Sequence, residues 1–202
     1  MLINKAGILI CFLLVQNFCF SQSFSEVIFK TGGYYGYSVG KKDGVKKIML
    51  STGQEFIVEK NLKESWYITF GIELTSLKYN YHSDTLNSSV FSNNYFALIP
   101  VTLKRYYILS KRSHCFLDFG LAPAYYFYNK DESKSSSFKK NNLGLNIGAV
   151  AKMGFKTQLT KKLSFDVGLH SFQDFIYSYK NAADKLSIKS NGLMTSFYLD
   201  IK

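Results

Sequence analysis

The stretch Leu143–Phe155, LGLNIGAVAKMGF, alternates without a break. Its odd positions hold Leu143, Leu145, Ile147, Ala149, Ala151, Met153 and Phe155, and its even positions hold Gly144, Asn146, Gly148, Val150, Lys152 and Gly154. A period of two is the side-chain repeat of a β-strand, here with one apolar face and one face of glycine, amide and charge. Trp66–Leu74 repeats it, with Trp66, Ile68, Phe70, Ile72 and Leu74 against Tyr67, Thr69, Gly71 and Glu73. Leu163–Leu169 sets Leu163, Phe165, Val167 and Leu169 against Ser164, Asp166 and Gly168. Ile99, Val101 and Leu103, then Leu117, Phe119 and Leu121, then Leu193, Phe197, Leu199 and Ile201 continue the series.

Working outward from these runs, the pattern predicts eight strands over about 24–39, 48–60, 65–81, 95–109, 114–128, 142–159, 163–179 and 188–201. Most exceed the ~5–6 residues of an ordinary strand and reach the ~9–11 of a tilted membrane strand. The connections at 62–64, 110–113 and 160–162 are tight, whereas 40–47, 82–94, 129–141 and 180–187 are longer and polar. Short turns alternating with long loops are the signature of a membrane barrel. The expected fold class is all-β, an eight-stranded antiparallel up-and-down transmembrane β-barrel.

The polarity of the two faces separates this from a soluble barrel, which turns its apolar face inward. The minor face combines Gly71, Gly120, Gly144, Gly148, Gly154, Gly168 and Gly192 with Glu73, Lys104, Asp118, Lys152, Asp166 and Asp174. Glycine facing water on a strand serves no purpose, but inside a narrow barrel it makes room for long neighbours. The apolar face is uniformly medium to large, as a lipid-facing belt requires. Aromatic residues crowd the strand ends at Tyr34, Tyr35 and Tyr37, Tyr79 and Tyr81, Tyr106 and Tyr107, Tyr125–Tyr128, and Phe175, Tyr177 and Tyr179. These suit girdles at the membrane surfaces.

The first 21 residues read differently. Lys5, an apolar stretch from about Ala6 to Val15, and the exit Cys19-Phe20-Ser21 have the layout of a secretory signal peptide cleaved before Gln22. The domain division is therefore 1–21 as leader and 22–202 as the barrel. Cleavage leaves Cys115 as the lone cysteine, so an intramolecular disulfide is excluded. With His82, His114 and His170 the remaining candidates, no metal site or cofactor is expected.

Turn geometry sets the expected register. A turn centred on Lys111 puts Lys104 opposite Asp118, and one centred on Lys161 puts Lys156 opposite Asp166, Lys152 opposite His170 and Gly154 opposite Gly168. Opposed charges across an antiparallel pair are favourable. Lys104, Asp118, Lys156, Asp166, Glu73 and Lys152 are therefore expected as lumen salt-bridge residues. An eight-stranded interior is just wide enough for side chains to fill, so no general diffusion pore is expected.

The stretch Phe96–Lys104, FALIPVTLK, is similar to the IP-x-x-LK strand of small Bacteroidetes-type outer-membrane β-barrel proteins. Phe119-Gly120-Leu121-Ala122-Pro123 resembles the glycine-containing strand that follows it, and a leader ending in Ser-Gln is similar to that group's. The chain ends Leu199-Asp200-Ile201-Lys202, without the terminal Phe of many barrels. The resemblance implies the barrel fold and the outer membrane, and the PorT-like relatives are tied to protein secretion and gliding. It implies location far more than role.

Chemistry has one candidate constellation, Asp166, His170 and Asp174 on one face of the seventh strand with Ser171 beside the histidine. A carboxylate-oriented His near a Ser is the grouping that hydrolyses acyl esters, so a hydrolase acting on lipid A or phospholipid is the rival reading. Parity places Ser171 on the opposite face from His170, which favours packing and salt bridging over catalysis. The chain carries 25 Lys+Arg against 14 Asp+Glu, a net charge of +11. Much of that excess, including Lys41, Lys42, Lys46, Lys47, Lys130, Lys134, Lys139, Lys140, Lys180 and Lys185, falls in the expected external loops. Lys41, Lys42, Lys139 and Lys140 are the expected contacts for the phosphates of lipopolysaccharide. Nucleic acid is excluded as a partner by export and by the lack of phosphate-loop or zinc-finger spacing. The sequence thus reads as a monomeric, non-enzymatic envelope protein, structural or displaying loops to envelope partners, with a secretion-system accessory as a further alternative.

Overall fold

The computed structural model describes residues 27–42, 45–83, 88–133, 137–178 and 187–201. The leader segment lies outside them. The described chain is β-structure throughout: β1 (Val27–Lys42), β2 (Val45–Lys63), β3 (Trp66–Ser83), β4 (Ser88–Leu98), β5 (Val101–Ile108), β6 (Ser113–Glu132), β7 (Ser137–Gln158), β8 (Leu163–Ser178) and β9 (Ser187–Ile201). Every pairing is antiparallel and joins strands next to one another in the chain, except that β4 and β5 each lie between β3 and β6, and β1 closes the sheet against β9.

Nine segments make eight staves. β4 and β5 both pair with β3 and with β6, and the pairing carries on across the gap between them without a slip: Glu73 faces Leu98, and Phe70 faces Val101. The gap is Ile99-Pro100, where proline has no N–H to give the ladder. Ile99 keeps its own bond, donating N–H to the Pro123 carbonyl at 2.9 Å. The eight-stranded closed antiparallel barrel expected from the sequence is the observed fold. Lys104 faces Asp118, Lys152 faces His170, Gly154 faces Gly168 and Lys156 faces Asp166, the registers expected from the two tight turns.

The loops required correction. Of the segments read as external loops, 82–83, 88–94, 129–132 and 137–141 are strand, as are 40–42 and 45–47. Once two strands are aligned, continuing the ladder satisfies backbone groups even where both faces meet water, and hydropathy alternation gives no warning of it. The residues 180–186 lie outside the described ones.

Side chains sort as the polarity argument requires. Phe119, Leu121, Met153, Leu169, Leu193 and Phe197 are each about half exposed on the outside. Glu59, Glu73, Lys104 and Asp166 are fully buried inside. This is the arrangement of a barrel that spans a membrane.

The aromatic clusters divide by parity rather than sitting together in girdles. Tyr35, Tyr37, Tyr107, Tyr125, Phe127 and Phe175 point outward, whereas Tyr34, Tyr106 and Tyr126 are buried in the lumen. The ring of Tyr34 lies over Gly53, where an added Cβ would collide with it. We expect Gly53→Val to overpack the lumen and cost ~1–3 kcal/mol, read as a lower urea midpoint for unfolding from lipid vesicles. An unchanged midpoint would show that the Tyr34 ring does not need this space.

Candidate functional site

The interior is built in two layers. In the turn-side half, inward positions of β1, β2, β3, β5, β6, β7 and β8 meet as a charge network. Lys30 Nζ lies 2.7 Å from Glu55 and 3.7 Å from Asp166. Lys152 Nζ donates to Glu55 at 2.6 Å and to Glu73 at 3.3 Å, and Ser196 donates to Glu55 at 2.7 Å. Lys104 donates to Glu59 and lies 3.9 Å from Asp118, which also accepts from Thr102. Tyr106 donates to the second Glu59 oxygen at 2.8 Å, and Tyr198 donates to Asp166. Burying ions this deeply is tolerable only when each finds opposite charge and hydrogen bonds.

The second layer is apolar. Met49, Leu77, Phe96, Leu98, Tyr126, Val150, Phe172 and Ile188 are buried together in the hairpin-side half. Phe96 stacks on Tyr126 with ring centroids 4.8 Å apart. Asp174 sits within this layer, accepting from the Asn146 amide at 2.8 Å and from the Ile188 backbone N–H at 2.8 Å. The expected interior of glycine and ionised groups therefore describes one half only. Phe96, Val150 and Phe172 share faces with the charged residues; the alternation placed Val150 on that face but assigned Phe96 and Phe172 no place.

The lumen candidates each have a definite position. Lys104 and Asp118 meet, as do Lys152 and Glu73. Lys156 and Asp166 are register partners, but no ion pair joins them among the described residues. The Lys156 amine instead donates to Tyr106 at 3.4 Å and lies 3.9 Å from the centre of the Tyr198 ring. Asp166 is held by Lys30 and Tyr198. The missed partners are Lys30, Glu55 and Glu59. Glu55 and Glu59 lie four residues apart on one strand face, and that same-face spacing was the available signal.

The hydrolase constellation does not assemble. His170 lies 3.2 Å from Glu73, with its ring stacked on Tyr34 at 4.3 Å between centroids. No hydroxyl is bonded to either ring nitrogen. Asp166 and Asp174 have the other partners just described. Ser171 faces outward and donates to Asn191 at 3.0 Å. A nucleophile and base on opposite sides of a barrel wall cannot exchange a proton.

Among the lysines read as anion contacts, Lys41, Lys42, Lys139 and Lys140 lie on hairpin strands, and their side chains fall outside the described ones. Lys130, on the external part of β6, pairs with Glu132, and that bond holds its amine above the ordinary range. No group of His, Cys, Asp and Glu with metal-binding geometry occurs among the described residues.

No family model and no curated relative matches the sequence. Solved structures do. Neisserial surface protein A superposes with a TM-score of 0.53 at 9% identity, over 86% of this chain and 96% of that one. Ail, the attachment invasion locus protein of Yersinia pestis, gives 0.47 at 10% identity, over 86% and 99%. OprG, an outer-membrane protein of Pseudomonas aeruginosa, gives 0.46 at 12% identity, over 87% and 95%. At such identities the first of these establishes the architecture and nothing finer: the chain has the closed eight-stranded fold of a small outer-membrane barrel.

Proposed function

We propose that the protein is a non-enzymatic outer-membrane barrel, exported by its leader, whose filled cylinder anchors external hairpins for a structural or interaction role in the envelope. The observation that carries this reading is the two-layer interior. A charge network fills the turn-side half and an apolar plug the hairpin-side half, which leaves the hairpins as the functional surface. The stretch FALIPVTLK keeps the Bacteroidetes-type resemblance as the family we favour. Lysine-rich hairpins that include Lys41, Lys42, Lys139 and Lys140 carry a positive excess suited to anionic glycolipid or to acidic partners.

Two measurements test the proposal. Purified protein reconstituted in planar bilayers is expected to show no stable unitary conductance, because both layers would have to move to open a path. In detergent with acyl-ester substrates, wild type and His170→Ala are expected to hydrolyse at the same background rate. Discrete open channels would overturn the filled-cylinder reading, and activity lost with His170 would establish the hydrolase instead.

A further inference from the structure

On the outer wall, a notch interrupts the belt. Across β7, β8, β9 and β1, the outward rung of paired residues runs Ala151, Ser171, Asn191, Tyr37. The rung on its turn side is apolar throughout, Met153, Leu169, Leu193 and Tyr35. Small side chains flanked by large ones leave a groove of about 660 Å³, with Ala151, Ser171 and Asn191 as its floor and Tyr37, Leu169 and Leu193 among its walls. The Ser171 hydroxyl donates to the Asn191 carbonyl oxygen at 3.0 Å, which leaves the Asn191 amide N–H₂ with no acceptor among the described residues. An amide donor unused beside hydrocarbon calls for a partner, since a polar group in an apolar medium is costly until bonded.

The next rung toward the hairpins carries Gln173 and Lys189, both exposed and paired with one another across the strands. Lys189 lies two residues from Asn191 on the same face, about 7 Å along the strand. Read from turn to hairpin, the surface is thus apolar groove, then hydrogen-bond donor, then cation. An acylated, phosphorylated lipid has the same order: chain, carbonyl linkage, phosphate. Its direction puts the head group on the hairpin side.

We infer that this groove on β7, β8, β9 and β1 is a binding site for lipid A, with one acyl chain against Leu169 and Leu193, its linkage carbonyl on the Asn191 amide and a phosphate on Lys189. The inference rests on the outer-membrane reading, which sets the hairpins outward. Ser171 orients Asn191 here and has no base beside it, so the site binds and does not hydrolyse.

The test uses full-length protein refolded in detergent and mixed with lipid A, with retained lipid counted by native mass spectrometry. Wild type is expected to retain one lipid A in preference to phosphatidylglycerol. Asn191→Leu and Lys189→Ala are each expected to cut retention by about fivefold or more, whereas Lys60→Ala, away from the groove, is expected to leave it unchanged. Anomalous gel migration of unboiled samples reports folding separately. A folded variant series with equal retention overturns this site alone, and loss of that migration in wild type overturns the barrel reading itself. Equal retention of phosphatidylglycerol overturns lipid A as the occupant. A dimer lost on Asn191→Leu, with no lipid retained, assigns the groove to a second copy and also overturns it.

Discussion

Lys104→Ala is expected to lower the stability of the folded barrel by about 3–5 kcal/mol, the range for breaking a buried ion pair by removing one partner. The amine is completely buried, donates to Glu59 and approaches Asp118 to 3.9 Å. It also lies 4.9 Å from the centre of the Phe116 ring. Truncation strands two carboxylates in a site that water enters poorly, and the loss is in their desolvation more than in the bond itself. Urea titration of protein in lipid vesicles, followed by the shift in gel migration between folded and unfolded forms, gives the number. The double variant Lys104→Met, Glu59→Gln is expected to recover about 1 kcal/mol or more, because contacting residues are not additive. A single-variant loss below about 1 kcal/mol, the level of an exposed pair, would show that the network is hydrated rather than buried.

Phe119→Arg is the second large effect, and it tests the outside as Lys104 tests the inside. Phe119 is 55% exposed, a state that in water would make arginine harmless. It lies six residues into β6 (Ser113–Glu132) from the turn side. At ~3.4 Å per residue and a tilt of ~45°, that is about 14 Å up a belt ~25 Å tall, close to its middle. Arginine at the midplane of a barrel's lipid face costs ~2–4 kcal/mol. The same substitution at Leu62, at the turn end of β2 and 51% exposed, is expected to cost less than ~1 kcal/mol. Equal small effects at both sites would mean that neither faces hydrocarbon.

What the sequence made legible follows from which forces act locally. Strand identity and facing in Leu143–Phe155 depend on side-chain alternation alone, and the register of Lys152 with His170 depends on a three-residue turn, so both could be read. The pairing of Lys152 with Glu55 could not, because it joins inward residues of β7 and β2 across the lumen, strands that share no ladder. The apolar plug escaped for a different reason. Phe96, Val150 and Phe172 obey the same parity as Lys104 and Lys152, and only their height in the cylinder distinguishes them. The Ile99-Pro100 break was visible as a proline but not as a gap, since the ladder resumes in register. His170 illustrates the limit at the site: its neighbours in sequence, Asp166, Ser171 and Asp174, all have other partners, and the carboxylate beside it is Glu73 from a strand far away in the chain.

The barrel turns hydrocarbon-facing side chains out and ions in, and oxygen accessibility along β6 measures that most directly. Nitroxide labels placed singly at 117, 118, 119, 120 and 121 in a Cys115→Ser background, in lipid vesicles, would report each position in turn. Positions 117, 119 and 121 are expected to collide freely with oxygen, which concentrates in the bilayer, and scarcely with a water-soluble nickel chelate, while 118 and 120 are shielded from both. Labels at 117, 119 and 121 that meet the chelate and not the oxygen would contradict that orientation.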